Sequence, residues 1–268
     1  MSGFARRVAG LTGVAEERLE RIAGGDLSEI LLVPRPDGSA VVAKGGAAVA
    51  TEAAMLRALL GAGIPAPRVE AEYDRVLILE RIVNDAVFSP AAWSSIGSAL
   101  RKLHAIGDEH YGWPVNYRLG TVELDNRQRR GWPTWWGEQR LLNTAAVLDR
   151  PWRERVERLV ATLADRLPVD PPAAWLHGDL WSGNILVSGG QLAALIDPAC
   201  YFGHCEVDLA MLSLFDTPPP EFWEAYSTEP GWEDRRPIYQ LFPALVHLRL
   251  FGGTYAGMVD RLLKAAGA

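Results

Sequence analysis

Residues 175–204, WLHGDLWSGNILVSGGQLAALIDPACYFGH, constrain this chain more than any other stretch. Ile185 to Val187 and Leu192 to Ile196 are short apolar runs separated by Ser-Gly-Gly, which is the pattern of a β-hairpin. A hairpin returns the chain to where it started, so Asn184 and Asp197 should meet at one end. Asp179 precedes Asn184 on the entering loop. An Asp-Pro turn or a loop-capping aspartate is ordinary alone. The full order His-Gly-Asp, Asn, hairpin, Asp is far more specific. One amide and one carboxylate, completed by water and phosphate, satisfy magnesium's preference for oxygen ligands. Asp179 is suited to take the proton of an attacking hydroxyl. Together these residues predict phosphoryl transfer, with Asp179 catalytic and Asn184 and Asp197 on the metal.

The rest of the chain supplies matching parts. EILLVPRPDGSAVVAK reads as two strands around a Pro-Asp-Gly turn, ending on Lys44. TEAAMLRALLGAG reads as a helix capped by Thr51, with Met55, Leu56, Leu59 and Leu60 inside and Glu52 in its first turn. Val76 to Leu79 reads as a further strand. From about Ala91 the pattern is helical, and the hairpin is its one β-like interruption. A change of pattern near residues 80–86 divides the chain into an expected small β-rich N-lobe, 1–82, and a larger helical C-lobe, 83–268. The class is α+β. A strand lysine followed by an early-helix glutamate, upstream of Asp-Asn-Asp, is the kinase arrangement of a phosphate-holding lysine and its ion-pair partner. Gly24 and Gly25, before the first strand, read as a plain turn or as a loop whose backbone N–H groups can approach phosphate. No Walker A pattern occurs.

A net charge of −6 gives no electrostatic reason to expect nucleic acid or an anionic membrane as partner. No apolar run is long enough for a membrane span, and the first residues lack a signal-peptide core. Two cysteines, Cys200 and Cys205, make no disulfide framework, and a zinc site would need two further ligands. A reducing cytoplasm is expected. His104, His177 and Asp208 read as structural: a core histidine, a loop-fixing histidine, and an aspartate that caps or anchors a helix. The tryptophans of GWPTWWGEQRL read as core or as a wall for a sugar.

LHGDLWSGN followed by IDPACYFGHCEVDLAML closely resembles the fructosamine kinase family, the ketosamine 3-kinases and ribulosamine kinases. IGSALRKLH, YGWPVNYRLGTVELDN, WWGEQRL and IYQLFPALVHLRLFGGTYAG extend the likeness over roughly residues 20 to 260. The resemblance implies a protein-kinase-like two-lobe fold and ATP- and magnesium-dependent phosphorylation of a sugar hydroxyl on a ketosamine. The acceptor would be a small ketosamine or a glycated protein lysine, and the role deglycation repair. By matching position, Lys44 holds the nucleotide phosphates and pairs with Glu52. Leu79, Glu80 and Arg81 form the hinge beside adenine, and Trp181 and Asn116 lie on the substrate side. Leu124 stands where the family often carries glutamine, and the glycine-rich loop lacks a cysteine that some relatives have. The alternatives are an aminoglycoside- or choline-type phosphotransferase and a nucleotide-binding pseudokinase. The sequence leaves oligomeric state open.

Overall fold

Alternation of apolar residues builds the first part of the molecule. The computed structural model describes residues 3–22 and 28–268. A helix, α1 (Gly3–Thr12), precedes strands β1 (Glu20–Arg21), β2 (Ile30–Pro34) and β3 (Ala40–Gly45). Then come helix α2 (Val49–Gly61) and strands β4 (Val69–Tyr73) and β5 (Val76–Glu80). The strands form one antiparallel sheet in the order β1-β2-β3-β5-β4. Leu31, Val33, Val41, Ala43, Val76 and Ile78 form a core with Ala5 and Val8 of α1. Side chains alternate along a strand, so Lys44, next to Ala43, is on the opposite face. On that face β3 pairs Lys44 with Leu77 of β5. α2 begins at Val49 and takes no side-chain cap, so Thr51 lies inside the helix rather than capping it. Met55, Leu56 and Leu59 are buried as expected.

The chain forms two compact units: residues 1–92 with 183–198, and residues 93–182 with 199–268. The hairpin, Ile185–Ser188 and Gln191–Leu195, belongs to the first. Gly189 and Gly190 both have positive φ, 58° and 74°, as a tight two-residue hairpin turn requires. The residues leaving β5 hold it. Asp85 N–H donates to Val187 O at 3.0 Å, and the Asp85 carboxylate accepts from Gly189 N–H at 2.8 Å. On its other strand Leu195 N–H donates to Pro65 O at 2.8 Å.

The second unit is mainly helical, with long helices at Pro90–His104, Arg150–Val160 and Trp232–Phe251. It contains more strand than the sequence pattern suggests. Ala173–Leu176 pairs with both Tyr201–Gly203 and Gly107–Asp108, and Tyr117–Leu119 pairs with Val122–Leu124. These strands have two to four residues, too few to establish a period. Trp132, Trp135 and Trp136 are fully buried, so this run is core and not a sugar-binding wall.

Candidate active site

Lys44 Nζ lies 2.8 Å from Glu52 Oε1 and 2.8 Å from Asp197 Oδ1. The sheet and α2 make the first contact: Lys44 stands on the α2 face, and Glu52 lies in the first turn of α2, where the helix dipole favours a carboxylate. The hairpin makes the second by delivering Asp197 after its return strand. Lys44 and Glu52 are almost wholly buried, whereas the Asp197 side chain keeps 28% of its exposure. Burial alone would lower the Lys44 pKa; attraction to Glu52 and Asp197 outweighs it, and the ammonium is held above its usual value. Burial raises Glu52 above the usual carboxylate range, against the pull of Lys44 and with a push from Asp197. The group is therefore one firmly held cation facing two carboxylates.

Asp197 has φ 55°, in the left-handed region that a non-glycine residue seldom adopts. At the base of the hairpin Ile185 pairs with Leu195, and Ile196 N–H donates to the Asn184 carbonyl at 3.0 Å. Asn184 and the residue before Asp197 thus meet at one end of the hairpin. Asn184 is buried.

Asp179 lies in the second unit, on the loop leaving Ala173–Leu176, and is partly exposed. Asp208, in the helix Glu206–Phe215, anchors that loop. Its carboxylate accepts from His177 N–H at 2.7 Å and Gly178 N–H at 2.9 Å. His104 Nε2 lies 3.1 Å from the same carboxylate, and Nδ1 lies 2.7 Å from the Tyr226 hydroxyl. With Nε2 protonated, His104 donates to Asp208 and accepts from Tyr226. Burial would raise the Asp208 pKa, but bonding and attraction to His104, the charge at His177 and the Gly178 N–H hold it below its usual value. Asp208 thus anchors the Asp179 loop and makes no cap bond to its own helix. An aspartate two residues into an apolar helix was the available signal, but the sequence does not identify its partners. Gly178 has φ 83°, and a Cβ there would stand 2.1 Å from the Ala199 carbonyl oxygen.

The remaining candidates fall as follows. Leu79 is buried in β5. Glu80 ends the strand and accepts from Arg68 N–H and from its guanidinium, both at 3.2 Å. Arg81 follows, exposed. Trp181 is 40% exposed. Asn116 is exposed and accepts from Asn126 N–H at 2.9 Å, so it helps shape its own loop. Gly24 and Gly25 lie outside the described residues. Nothing in the sequence around Arg140 marks it as more than a surface arginine. Its guanidinium is fully buried between the rings of Trp135 and Tyr201, 4.4 and 4.1 Å from their centroids. It donates to Asp125 O at 2.8 Å and Asn126 Oδ1 at 2.7 Å.

A strand lysine held by a helix glutamate and a post-hairpin aspartate, with a separately anchored His-Gly-Asp loop, defines a phosphotransferase of the protein-kinase-like fold. An ADP-bound aminoglycoside phosphotransferase superposes with TM-score 0.67 over 98% of this chain and 97% of that one; at 15% identity the likeness is one of fold. The chain belongs to the fructosamine kinase family, whose model matches residues 16–266, and it is an ATP-dependent phosphotransferase. The "probable ketoamine kinase" of Lactiplantibacillus plantarum is 35% identical over 79% of each chain. The crystal structure of a candidate fructosamine-3-kinase from Thermobifida fusca YX-ER1 covers 98% of both chains at 31% identity, with TM-score 0.85.

Proposed function

We propose that this kinase phosphorylates a sugar hydroxyl of ketosamines, the adducts of sugars with small amines or protein lysines, and so acts in deglycation. Membership of the fructosamine kinase family carries this reading. Two free cysteines accord with action in the reducing cytoplasm. Among the described residues, no helix is long and apolar enough to cross a membrane.

Each residue has a proposed role. Lys44 has three N–H donors, two directed at Glu52 and Asp197, which leaves one for a phosphate oxygen. Asn184 and Asp197 offer the oxygen donors that magnesium prefers. Among the described residues, no group of three His, Cys, Asp or Glu could hold a metal, so the remaining ligands would come from phosphate and water. When bound, magnesium-ATP supplies the transferable phosphoryl group and the charge neutralisation. Asp179 accepts the proton of the sugar hydroxyl as its oxygen attacks. The backbone at Leu79, Glu80 and Arg81 receives adenine, and Trp181 and Asn116 face the acceptor.

ATP consumption with magnesium, measured against ribulose-lysine, fructose-lysine, kanamycin and choline, tests the reading, with the product phosphate located by phosphorus NMR. Turnover on a ketosamine with phosphate on the sugar is expected; turnover on kanamycin or choline alone would overturn the substrate assignment. Asp179→Ala should lower turnover at least ~10²-fold, the lower end for removing a general base, while a non-hydrolysable ATP analogue still binds. Near-normal turnover would remove Asp179 from that role.

A further inference from the structure

The helix Glu206–Phe215 ends on a residue that its own electrostatics disfavour. Asp216 is the C-cap: its N–H donates to Leu212 O at 2.9 Å, and its backbone turns extended, with φ −127° and ψ 171°. A helix C-terminus carries partial negative charge and favours a cation, so a carboxylate there is destabilising unless another group offsets it. The offset is visible. Asp216 Oδ2 accepts the Ser182 N–H at 2.8 Å. Ser182 opens the one-turn helix Ser182–Asn184, where the first N–H groups have no acceptor within their own turn. Next to this bond Phe215 meets the Trp181 ring edge-on, with centroids 6.4 Å apart and planes at 63°.

The same helix therefore grips the His-Gly-Asp segment at two points. Asp208, near its start, takes the N–H groups of His177 and Gly178, and Asp216, at its end, takes that of Ser182. Asp179 lies between the two anchors. Trp181 is next to the second, and Asn184 follows Ser182 by two residues. We propose that Asp216 is a positioning residue for phosphoryl transfer: through the Ser182 N–H it fixes Trp181 and the turn leading to Asn184 while Asp208 fixes the start of the loop. This rests on the roles proposed above for Asp179, Trp181 and Asn184. Asp216 touches no reacting atom in this scheme and acts through the backbone.

The test compares the full-length enzyme with Asp216→Ala and Asp216→Asn. An asparagine oxygen can still accept the Ser182 N–H; alanine cannot. Amide exchange across residues 177–184 reports the bond directly. In Asp216→Ala, Ser182 should exchange faster and kcat should fall about 10-fold or more, the scale of one hydrogen bond to a charged acceptor. KM for the acceptor should rise, and affinity for a non-hydrolysable ATP analogue measured without magnesium should stay within about 2-fold, because Lys44, proposed to hold its phosphates, keeps its contacts to Glu52 and Asp197. Asp216→Asn should restore both exchange protection and kcat. If the alanine variant does not fold, Asp216→Ser, too short to reach, takes its place. Unchanged exchange, faster exchange with unchanged kcat, or equal losses in the alanine and asparagine variants would each overturn the proposal. Wild-type turnover on kanamycin or choline alone would overturn the substrate reading, and the Asp216 comparison would then run on that acceptor. If no acceptor is used, hydrolysis of ATP by water carries the same comparison.

Discussion

At the scale of single residues, the buried Lys44 carries the largest consequences. Lys44→Met removes the cation that pairs with Glu52 and Asp197, which leaves Glu52 as a buried carboxylate without that partner. Breaking a buried pair from one side costs about 3–5 kcal/mol, much of it from the charge left behind. Urea unfolding should show a loss of that order, and the double variant Lys44→Met/Glu52→Gln should recover part of it. Equal stability of the single and double variants would show that Glu52 is not stranded. Gly178 is constrained in a different way. Its φ of 83° and the Ala199 carbonyl 2.1 Å from a Cβ position leave no room for a side chain. Gly178→Ala must shift the backbone whose N–H reaches Asp208, so turnover should fall at least about 10-fold, the effect of misplacing a reacting group by a fraction of an ångström. Unchanged kcat in a folded Gly178→Ala protein would contradict this.

At the scale of elements, legibility followed period and punctuation. The hairpin was readable because Ile185 to Val187 and Leu192 to Ile196 flank two glycines that adopt positive φ. β2 and β3 were readable for the same reason, around Pro36, Asp37 and Gly38. The Lys44–Glu52 pair was legible as a combination, but its contact with Asp197 needs the hairpin in three dimensions. Thr51 misled because a hydroxyl near a helix start looks like a cap, whereas the helix extends back to Val49. Ala173–Leu176 is buried at every position, so no alternation marks it as a strand. Arg140 was silent because a lone arginine in WWGEQRL looks like surface, and only the fold closes Trp135 and Tyr201 over it. The segment Trp136–Leu142 is a π-helical turn, which holds Arg140 toward Asp125 and Asn126. Arg140→Lys keeps the charge but loses the planar fork and the stacking. It leaves buried acceptors underserved, at about 1–3 kcal/mol, so thermal unfolding should move down. An unchanged melting temperature would show that the fork is dispensable.

At the scale of the whole molecule, stability should depend on pH through a histidine remote in sequence from the proposed catalytic residue. His204 is buried, with Nδ1 2.8 Å from the Tyr239 hydroxyl. Glu206 lies 3.7 Å from the same nitrogen and alone would favour the charged ring. However, both Glu206 oxygens are taken by Arg235, at 2.8 and 2.5 Å, so that carboxylate is already neutralised. Burial therefore dominates, reinforced by the charge of Arg235, and the His204 pKa falls to about 3. The sign follows by linkage. Between pH 6.5 and 3 the unfolded chain holds a proton on this ring and the folded chain does not, so stability falls as pH falls. From pH 6.5 to 5 this one group removes about 2 kcal/mol. Asp208 acts at lower pH: its depressed pKa contributes stability above the ordinary carboxylate value, and that is lost as pH falls through the folded value. Denaturant unfolding at pH 7 and pH 5 should therefore show a loss in the wild type that shrinks by about 2 kcal/mol in His204→Gln, which has no ring to titrate. If the variant shows the wild-type pH dependence, proton uptake on unfolding lies elsewhere and His204 is not the group that couples this core to pH.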